Sequence, residues 1–222
     1  MTLFTLLTLF VVNSFFGLRF NSPDDVTFVK RNCQTYMFFT DPSFGPVVNP
    51  TPSAVLPNAV WRYHAATQDL QAVISRSDIL NPNGIAVSAD MKKLYVTDTS
   101  MELVDPSYGQ GALSSGATAI YVFDLDHEVR PVNKRLFAYA RSGIPDGLHV
   151  DDKGRVWTGE GDGIVIRSSA GKVLGLINAA AIGETAITNF ALAGNVLAIG
   201  GYENLLLVNL TKTIVKPQRF YF

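Results

Sequence analysis

The 222-residue sequence predicts an all-β fold, and within that class a β-propeller, from three observations. Apolar runs of strand length follow one another at short intervals, and helical periodicity is almost absent. Residues that favour turns, namely Asn, Asp, Gly and Pro, separate these runs into hairpins. A similar hairpin then recurs along the chain, the first three copies about sixty residues apart and the fourth nearer. Hairpins that repeat at a long fixed period indicate one four-stranded sheet per repeat, which is the blade of a propeller.

Four segments of the chain carry the repeat. Each has a polar pair, a short apolar strand, a turn and a second apolar strand. They are SPDDVTFVKRNCQTYMFFTDPSFG from Ser22, NPNGIAVSADMKKLYVTDTS from Asn81, IPDGLHVDDKGRVWTGEGDG from Ile144 and ITNFALAGNVLAIGGYE from Ile187. Further strand-like runs lie between and after them: AVWRYHA, TAIYVFDLD, RLFAYA, GIVIRSS, KVLGLI and LLLVNL. We therefore expect residues 1–222 to form a single propeller domain of about four blades, which the resemblance described below makes incomplete.

The apolar segment of residues 1–16 has two interpretations. It carries no charge before Arg19, and its alternation of Thr, Val and Phe with Leu favours a buried strand. Its length also suits a signal peptide, although a basic beginning and a clear cleavage site are missing. The run is short for a membrane span, so no stable membrane insertion is expected. Localisation therefore stays open between the cytoplasm and secretion.

Composition excludes several classes of function. Hydrophobic residues make up 47% of the chain, which is typical of a globular protein. Lys and Arg number 18 against 19 Asp and Glu, and no basic run exceeds two residues, so nucleic-acid binding is not expected. A single cysteine, Cys33, cannot form an internal disulfide, and no Cys/His spacing of the zinc type occurs.

The polar pairs indicate a site at one mouth of the propeller channel. Because the innermost strand of each blade runs along the channel, a pair at the same end of each such strand gathers at that mouth. The alternative is that each pair is simply a turn, although recurrence in phase argues against this. Two carboxylates and a carboxamide suit a hard divalent cation, and such a site fits hydrolysis of an ester or lactone. The pairs are Asp24-Asp25, Asn83-Gly84, Asp146-Gly147 and Thr188-Asn189.

Four motifs taken together resemble the senescence marker protein/gluconolactonase/regucalcin family, and its fungal lactonohydrolase-like branch most closely. They are RFNSPDDVTF with MFFTDPSFG, NPNGIAVSADMKKLYVTDT, SGIPDGLHVDDKGRVWTGEGDG and ITNFALAG. The resemblance runs from about Phe15 to near Leu210. It implies a six-bladed propeller that hydrolyses a small-molecule lactone with a divalent cation, Ca²⁺ first and Mg²⁺ or Zn²⁺ as alternatives.

The resemblance also implies roles for individual residues. Asn83 and Asp146 match metal-binding positions, and Asp146 is in addition the expected catalytic base. Asp24 stands where the family carries an Asn, which makes it a candidate third metal ligand. Arg19, before the first motif, and Asn189, at the same channel mouth, are the expected substrate-binding residues.

Two departures from the family leave alternatives open. No counterpart of the family's metal-binding Glu, in a G-E-G-P-like motif, occurs in the sequence, and Asp24 is hypothesised to restore its charge. The length supplies about four of six blades, which predicts a truncated gene model, a degraded paralogue or a ring closed by a partner chain. The alternative function is a non-catalytic propeller remnant that binds metal or a partner, and a strictosidine synthase-like propeller is a third interpretation.

Overall fold

The computed structural model describes residues 11–45, 55–99, 117–201 and 204–216. These residues form four antiparallel sheets in chain order, preceded by a two-stranded ribbon of β1 (Ser14–Phe15) and β2 (Leu18–Arg19). The first sheet consists of β3 (Val26–Arg31), β4 (Gln34–Asp41), β5 (Ala59–His64) and β6 (Asp69–Ile74). The second consists of β7 (Pro82–Val87), β8 (Lys93–Asp98), β9 (Ala119–Leu125) and β10 (Pro131–Tyr139).

The third and fourth sheets follow the same pattern. The third consists of β11 (Leu148–Val150), β12 (Val156–Glu160), β13 (Gly163–Arg167) and β14 (Val173–Asn178), after which a short 3₁₀ helix spans Ala180–Ile182. The fourth has three described strands: β15 (Ile187–Ala193), β16 (Val196–Gly201) and β17 (Leu205–Asn209). Strand β3 lies beside β7, β7 beside β11 and β11 beside β15, so the first strands of the four sheets line one side. The all-β propeller prediction is therefore confirmed, with four blades.

Hairpin turns lie where the sequence predicts them. In the first blade, Asn32 and Cys33 both have a positive φ, at 52° and 60°, which gives the tight two-residue turn that suits twisted antiparallel strands. The predicted turns at Asp90–Lys92, Asp152–Gly154 and Gly194–Asn195 contain Met91, Gly154 and Gly194 in the same backbone region. Their φ values are 55°, 73° and 62°. Short hairpins thus fix the pairing of the first two strands in every blade.

Apolar side chains between consecutive blades form the core. Phe38 and Val60 of the first blade pack with Ile85 and Val96 of the second, all fully or almost fully buried. Equivalent clusters join the second blade to the third and the third to the fourth. Burial of this apolar area favours the stacked arrangement and holds neighbouring inner strands at a fixed separation.

The N-terminal ribbon packs against the first blade. The ring of Phe15 lies 4.7 Å from that of Trp61, and the ring of Phe20 lies 5.3 Å from it. Of the segment 1–16, residues 1–10 lie outside the described part, and the described remainder contains only the two-residue strand β1. In the described ranges, no helix has the length and apolar character needed to cross a membrane.

Candidate functional site

The four polar pairs lie at the same end of the four inner strands. Asp24-Asp25 precedes β3 and Asp146-Gly147 precedes β11, as predicted. Asn83-Gly84 and Thr188-Asn189 instead lie inside β7 and β15, because these strands begin earlier, at Pro82 and Ile187. The strand pairing shifts register between Pro82 and Ile85, and again at the beginning of β15. Such bulges re-aim side chains at the ends of strands and are common beside functional sites.

The two glycines of these pairs allow neighbouring blades to approach closely. A Cβ on Gly84 would lie 2.3 Å from the main-chain oxygen of Asp146, and a Cβ on Gly147 would lie 2.3 Å from Oδ1 of Asn189. Neither glycine has a positive φ, so close approach, and not left-handed turn geometry, requires them. The Gly147 amide also donates to the Thr188 carbonyl at 2.9 Å. The Asn-Gly and Asp-Gly pairs are thus contact points between blades.

Asp25 joins the first blade to the second. Its Oδ2 accepts a hydrogen bond from the backbone N–H of Ile85 at 3.0 Å, and its Oδ1 accepts from Val26 at 2.8 Å. The Asp25 backbone is held in turn by Thr40, whose hydroxyl accepts the Asp25 N–H at 3.0 Å. The sequence places Asp25 in a polar pair, but no role for it could be assigned from the sequence, because its partner lies 60 residues away.

Two buried threonines connect the second blade to the third. Thr97 Oγ1 accepts from the Gly84 N–H at 2.7 Å and lies 3.1 Å from the carbonyl oxygen of Asp146. Thr99 Oγ1 lies 3.1 Å from Nδ2 of Asn83 and 2.7 Å from the Pro145 carbonyl oxygen. Sequence reasoning missed both threonines, although their spacing of two residues in VTDT, at the end of β8, is the spacing of side chains that share one face of a strand.

The carboxyl groups at the mouth influence one another. Burial, and after it the negative charges of Asp24 and Asp25, raise the pKa of Asp146 to about 7, although a hydrogen bond from Asn83 opposes the shift. The side chain of Asp24 is exposed at the mouth, yet desolvation by the surrounding chain and the charge of Asp25 raise its pKa to about 6. Asn83 is buried, with 6% of its surface exposed. Like charges held together in this way are stabilised by a cation.

The two expected substrate-binding residues occupy different surroundings. Asn189 is exposed on β15 beside Gly147, and its Oδ1 accepts from the Phe190 N–H at 2.8 Å. Arg19 is exposed on β2, and in the described residues no hydrogen bond or ion pair joins it to the mouth. The structure therefore brings Asp24, Asn83 and Asp146 together, places Asn189 at the adjoining blade, and leaves Arg19 on the ribbon.

The donor set at the mouth fits a hard divalent cation. It offers carboxylate oxygens from Asp24 and Asp146 and a carboxamide oxygen from Asn83, the ligand types that Ca²⁺ and Mg²⁺ prefer. No three His, Cys, Asp or Glu side chains in the described ranges gather closely enough to hold a metal by themselves. The carboxamide of Asn83, which is not one of these four residue types, is the third oxygen donor beside Asp24 and Asp146.

Comparison with known proteins gives consistent matches. A model of the SMP-30/Gluconolactonase/LRE-like region matches residues 29–199. A gluconolactonase from Zymomonas mobilis is 29% identical over 214 residues, covering 91% of this chain and 54% of that relative. A lactonohydrolase from Aspergillus oryzae is 33% identical over 126 residues, covering 52% of this chain and 26% of that relative. The solved structure of a Xanthomonas campestris gluconolactonase has a TM-score of 0.71 at 28% identity, covering 90% of this chain and 60% of that chain. The chain thus spans about half the length of the Zymomonas relative and a smaller part of the Aspergillus one.

Proposed function

Since the chain belongs to the SMP-30/gluconolactonase/LRE-like family, we propose that it hydrolyses a small lactone at the mouth of its propeller channel. We further propose that Asn83, Asp146 and Asp24 hold a divalent cation there, with Ca²⁺ the first candidate. The observation that supports this is the convergence of two carboxylates and one buried carboxamide, from three different blades, on one side of the molecule. The gluconolactonase and lactonohydrolase relatives supply the substrate class.

In the proposed reaction, water attacks the lactone carbonyl, the ring C–O bond breaks, and the released oxygen takes a proton to give a hydroxy acid. When bound, the cation supplies Lewis-acid polarisation of the lactone carbonyl. Asp146 accepts the proton of the attacking water and then returns it to the released ring oxygen, a role that suits the carboxylate with the most strongly raised pKa at the mouth. Asn189 presents Nδ2 to the substrate, since its Oδ1 is engaged by the Phe190 amide. Binding of the substrate by Arg19 stays a prediction.

Chelation and substitution test this proposal. Gluconolactone, the substrate named by the relatives, is supplied to the purified chain in a pH-stat assay with Ca²⁺ or with EDTA. We expect hydrolysis that EDTA abolishes and that Asp146→Asn lowers by a factor on the order of 10² or more. Asp90→Asn, in an exposed turn, is the matched control and should retain the wild-type rate. Activity that is insensitive to both EDTA and Asp146→Asn contradicts the proposal.

The role of Asp24 distinguishes this chain from the family pattern that it resembles. If Asp24 replaces a lost ligand charge, Asp24→Asn should weaken Ca²⁺ binding by tenfold or more, a change of about 1.4 kcal/mol or more. Calorimetric titration with Ca²⁺ measures this, and unchanged affinity removes Asp24 from the ligand set.

A non-catalytic binding propeller is the second candidate, favoured by the departure at Asp24, which stands where the family carries an Asn. Saturable Ca²⁺ binding without turnover of any lactone would support it. Closure of the ring by a partner chain is a separate proposal. It is tested by the molar mass of the natural protein in solution, which should then exceed the 24.1 kDa of one chain.

A further inference from the structure

The hydroxyl of Thr99 has two hydrogen-bond partners at the channel mouth, and their chemistry fixes its orientation. Thr99 is fully buried, and its Oγ1 lies 2.7 Å from the Pro145 carbonyl oxygen. A carbonyl oxygen can only accept, so the single proton of the Thr99 hydroxyl is directed to Pro145. The hydroxyl therefore has only lone pairs left for its second partner, the side chain of Asn83 at 3.1 Å.

This orientation determines which way round the Asn83 amide lies. A lone pair can contact only the N–H side of the amide, so Nδ2 faces Thr99 and Oδ1 does not. A hydrogen bond from the Asn83 side chain also lowers the pKa of Asp146, which agrees with an amide whose N–H groups, and not its oxygen, face its protein neighbours. No described residue donates to Oδ1 of Asn83, which leaves this oxygen for a ligand.

We infer that Thr99 is a positioning residue, which holds the Asn83 amide with its oxygen available to a divalent cation. The inference rests on the proposed function, because it concerns the same site. It adds a residue that neither binds the cation nor touches the lactone, but orients a ligand that does. Residues that orient metal ligands commonly change metal affinity by about 10- to 100-fold when they are replaced.

The chain offers a matched control for this inference. Thr158, on the second strand of the third blade, is also fully buried, but its Oγ1 has no hydrogen-bond partner in the described residues. Thr158→Val therefore removes a buried hydroxyl without removing a hydrogen bond. Thr99→Val makes the same chemical change where two hydrogen bonds depend on the hydroxyl. Thr99→Ser keeps the hydroxyl and removes only the methyl group.

Calorimetric titration of Ca²⁺ into the wild type and these three variants tests the inference. We expect Thr99→Val to weaken Ca²⁺ binding by about 10- to 100-fold, with Thr99→Ser within about threefold of the wild type and Thr158→Val unchanged. Equal affinities for Thr99→Val and the wild type overturn the inference and leave the proposed function standing. Loss of affinity in Thr99→Ser as large as in Thr99→Val also overturns it, because packing and not the hydroxyl would then be responsible.

Absence of Ca²⁺ binding in the wild type contradicts the proposed function itself, so the two failures are distinguishable. Should Thr99→Val fail to fold, the wild type still provides a test. The side-chain amide protons of Asn83, followed by NMR, should exchange slowly with solvent and shift when Ca²⁺ is added. Rapid exchange of these protons, equal to that of an exposed Asn, overturns the inference without any variant.

Discussion

The close approach of the second and third blades at Gly84 makes Gly84→Ala a strongly destabilising change. The new methyl carbon would lie 2.3 Å from the Asp146 carbonyl oxygen and 3.0 Å from the Gly147 Cα. Both obstacles are backbone atoms, so no side-chain rotation relieves the clash, and the inner strands must separate by about 1 Å to restore van der Waals contact. Overpacking of this kind costs about 1–3 kcal/mol. The same movement strains the hydrogen bond between Thr97 and Asp146, which contributes about 1 kcal/mol more.

The expected total is therefore a loss of about 3 kcal/mol in the free energy of unfolding, or roughly 6–12 °C in Tm for a chain of this size. Gly175→Ala is the matched control, because the nearest atom to its Cβ would be Ile166 Cδ1 at 4.0 Å. Replacing a strand glycine with free space around it should stabilise the protein by about 0.5–1 kcal/mol. Urea unfolding followed by tryptophan fluorescence measures both. A Gly84→Ala protein within about 0.5 kcal/mol of the wild type would refute the close packing of these strands.

Two further predictions concern buried charges outside the mouth. Glu160 and Arg167 form an ion pair at 2.5 Å with both side chains buried, so Glu160→Gln should lower the free energy of unfolding by about 3–5 kcal/mol. Asp124→Asn breaks an exposed pair with Arg135 and should lower it by less than about 1 kcal/mol. Urea midpoints that fall equally for both variants would contradict this. Burial raises the pKa of Asp41 to about 6 from 3.8, so the folded state binds this proton more tightly than the unfolded state does. Protonation of Asp41 therefore adds to the stability of the protein as the pH falls from 6 towards 4. Asp41→Asn should remove up to about 3 kcal/mol of this pH-dependent gain in the free energy of unfolding. If the change from pH 7 to pH 4 alters the free energy of unfolding equally in the wild type and in Asp41→Asn, the prediction is wrong.

The sequence predicts the strand pattern in more detail than it predicts the contacts of the site. The runs AVWRYHA, TAIYVFDLD and GIVIRSS correspond to β5, β9 and β13, because alternation and turn residues are local signals. Convergence of the polar pairs followed from the repeat alone. The hydrogen bonds of Asp25, Thr97 and Thr99 could not be predicted, since they depend on the register between blades. The position of Arg19 is likewise set by packing of the ribbon, which carries no sequence repeat.

The crowding of negative charge at the mouth leads to a last prediction, in which stability and cation binding oppose each other. Asp146 lies close enough to Asp24 and Asp25 for their charges to raise its pKa, so ionising all three destabilises the fold when no cation is bound. Asp146→Asn removes one of these charges at nearly constant volume. We therefore expect this variant to be as stable as the wild type, or more stable, in EDTA.

Addition of Ca²⁺ should reverse that order. A cation present at about 100 times its Kd adds about 2.7 kcal/mol to the stability of a protein that binds it only when folded. The wild type should gain this amount, and Asp146→Asn should gain little, because one of its ligands is weakened. Urea unfolding of both proteins in EDTA and in Ca²⁺ gives the four free energies required. An equal gain in both proteins would show that the cation binds elsewhere, since a site that uses the Asp146 carboxylate cannot be indifferent to its loss.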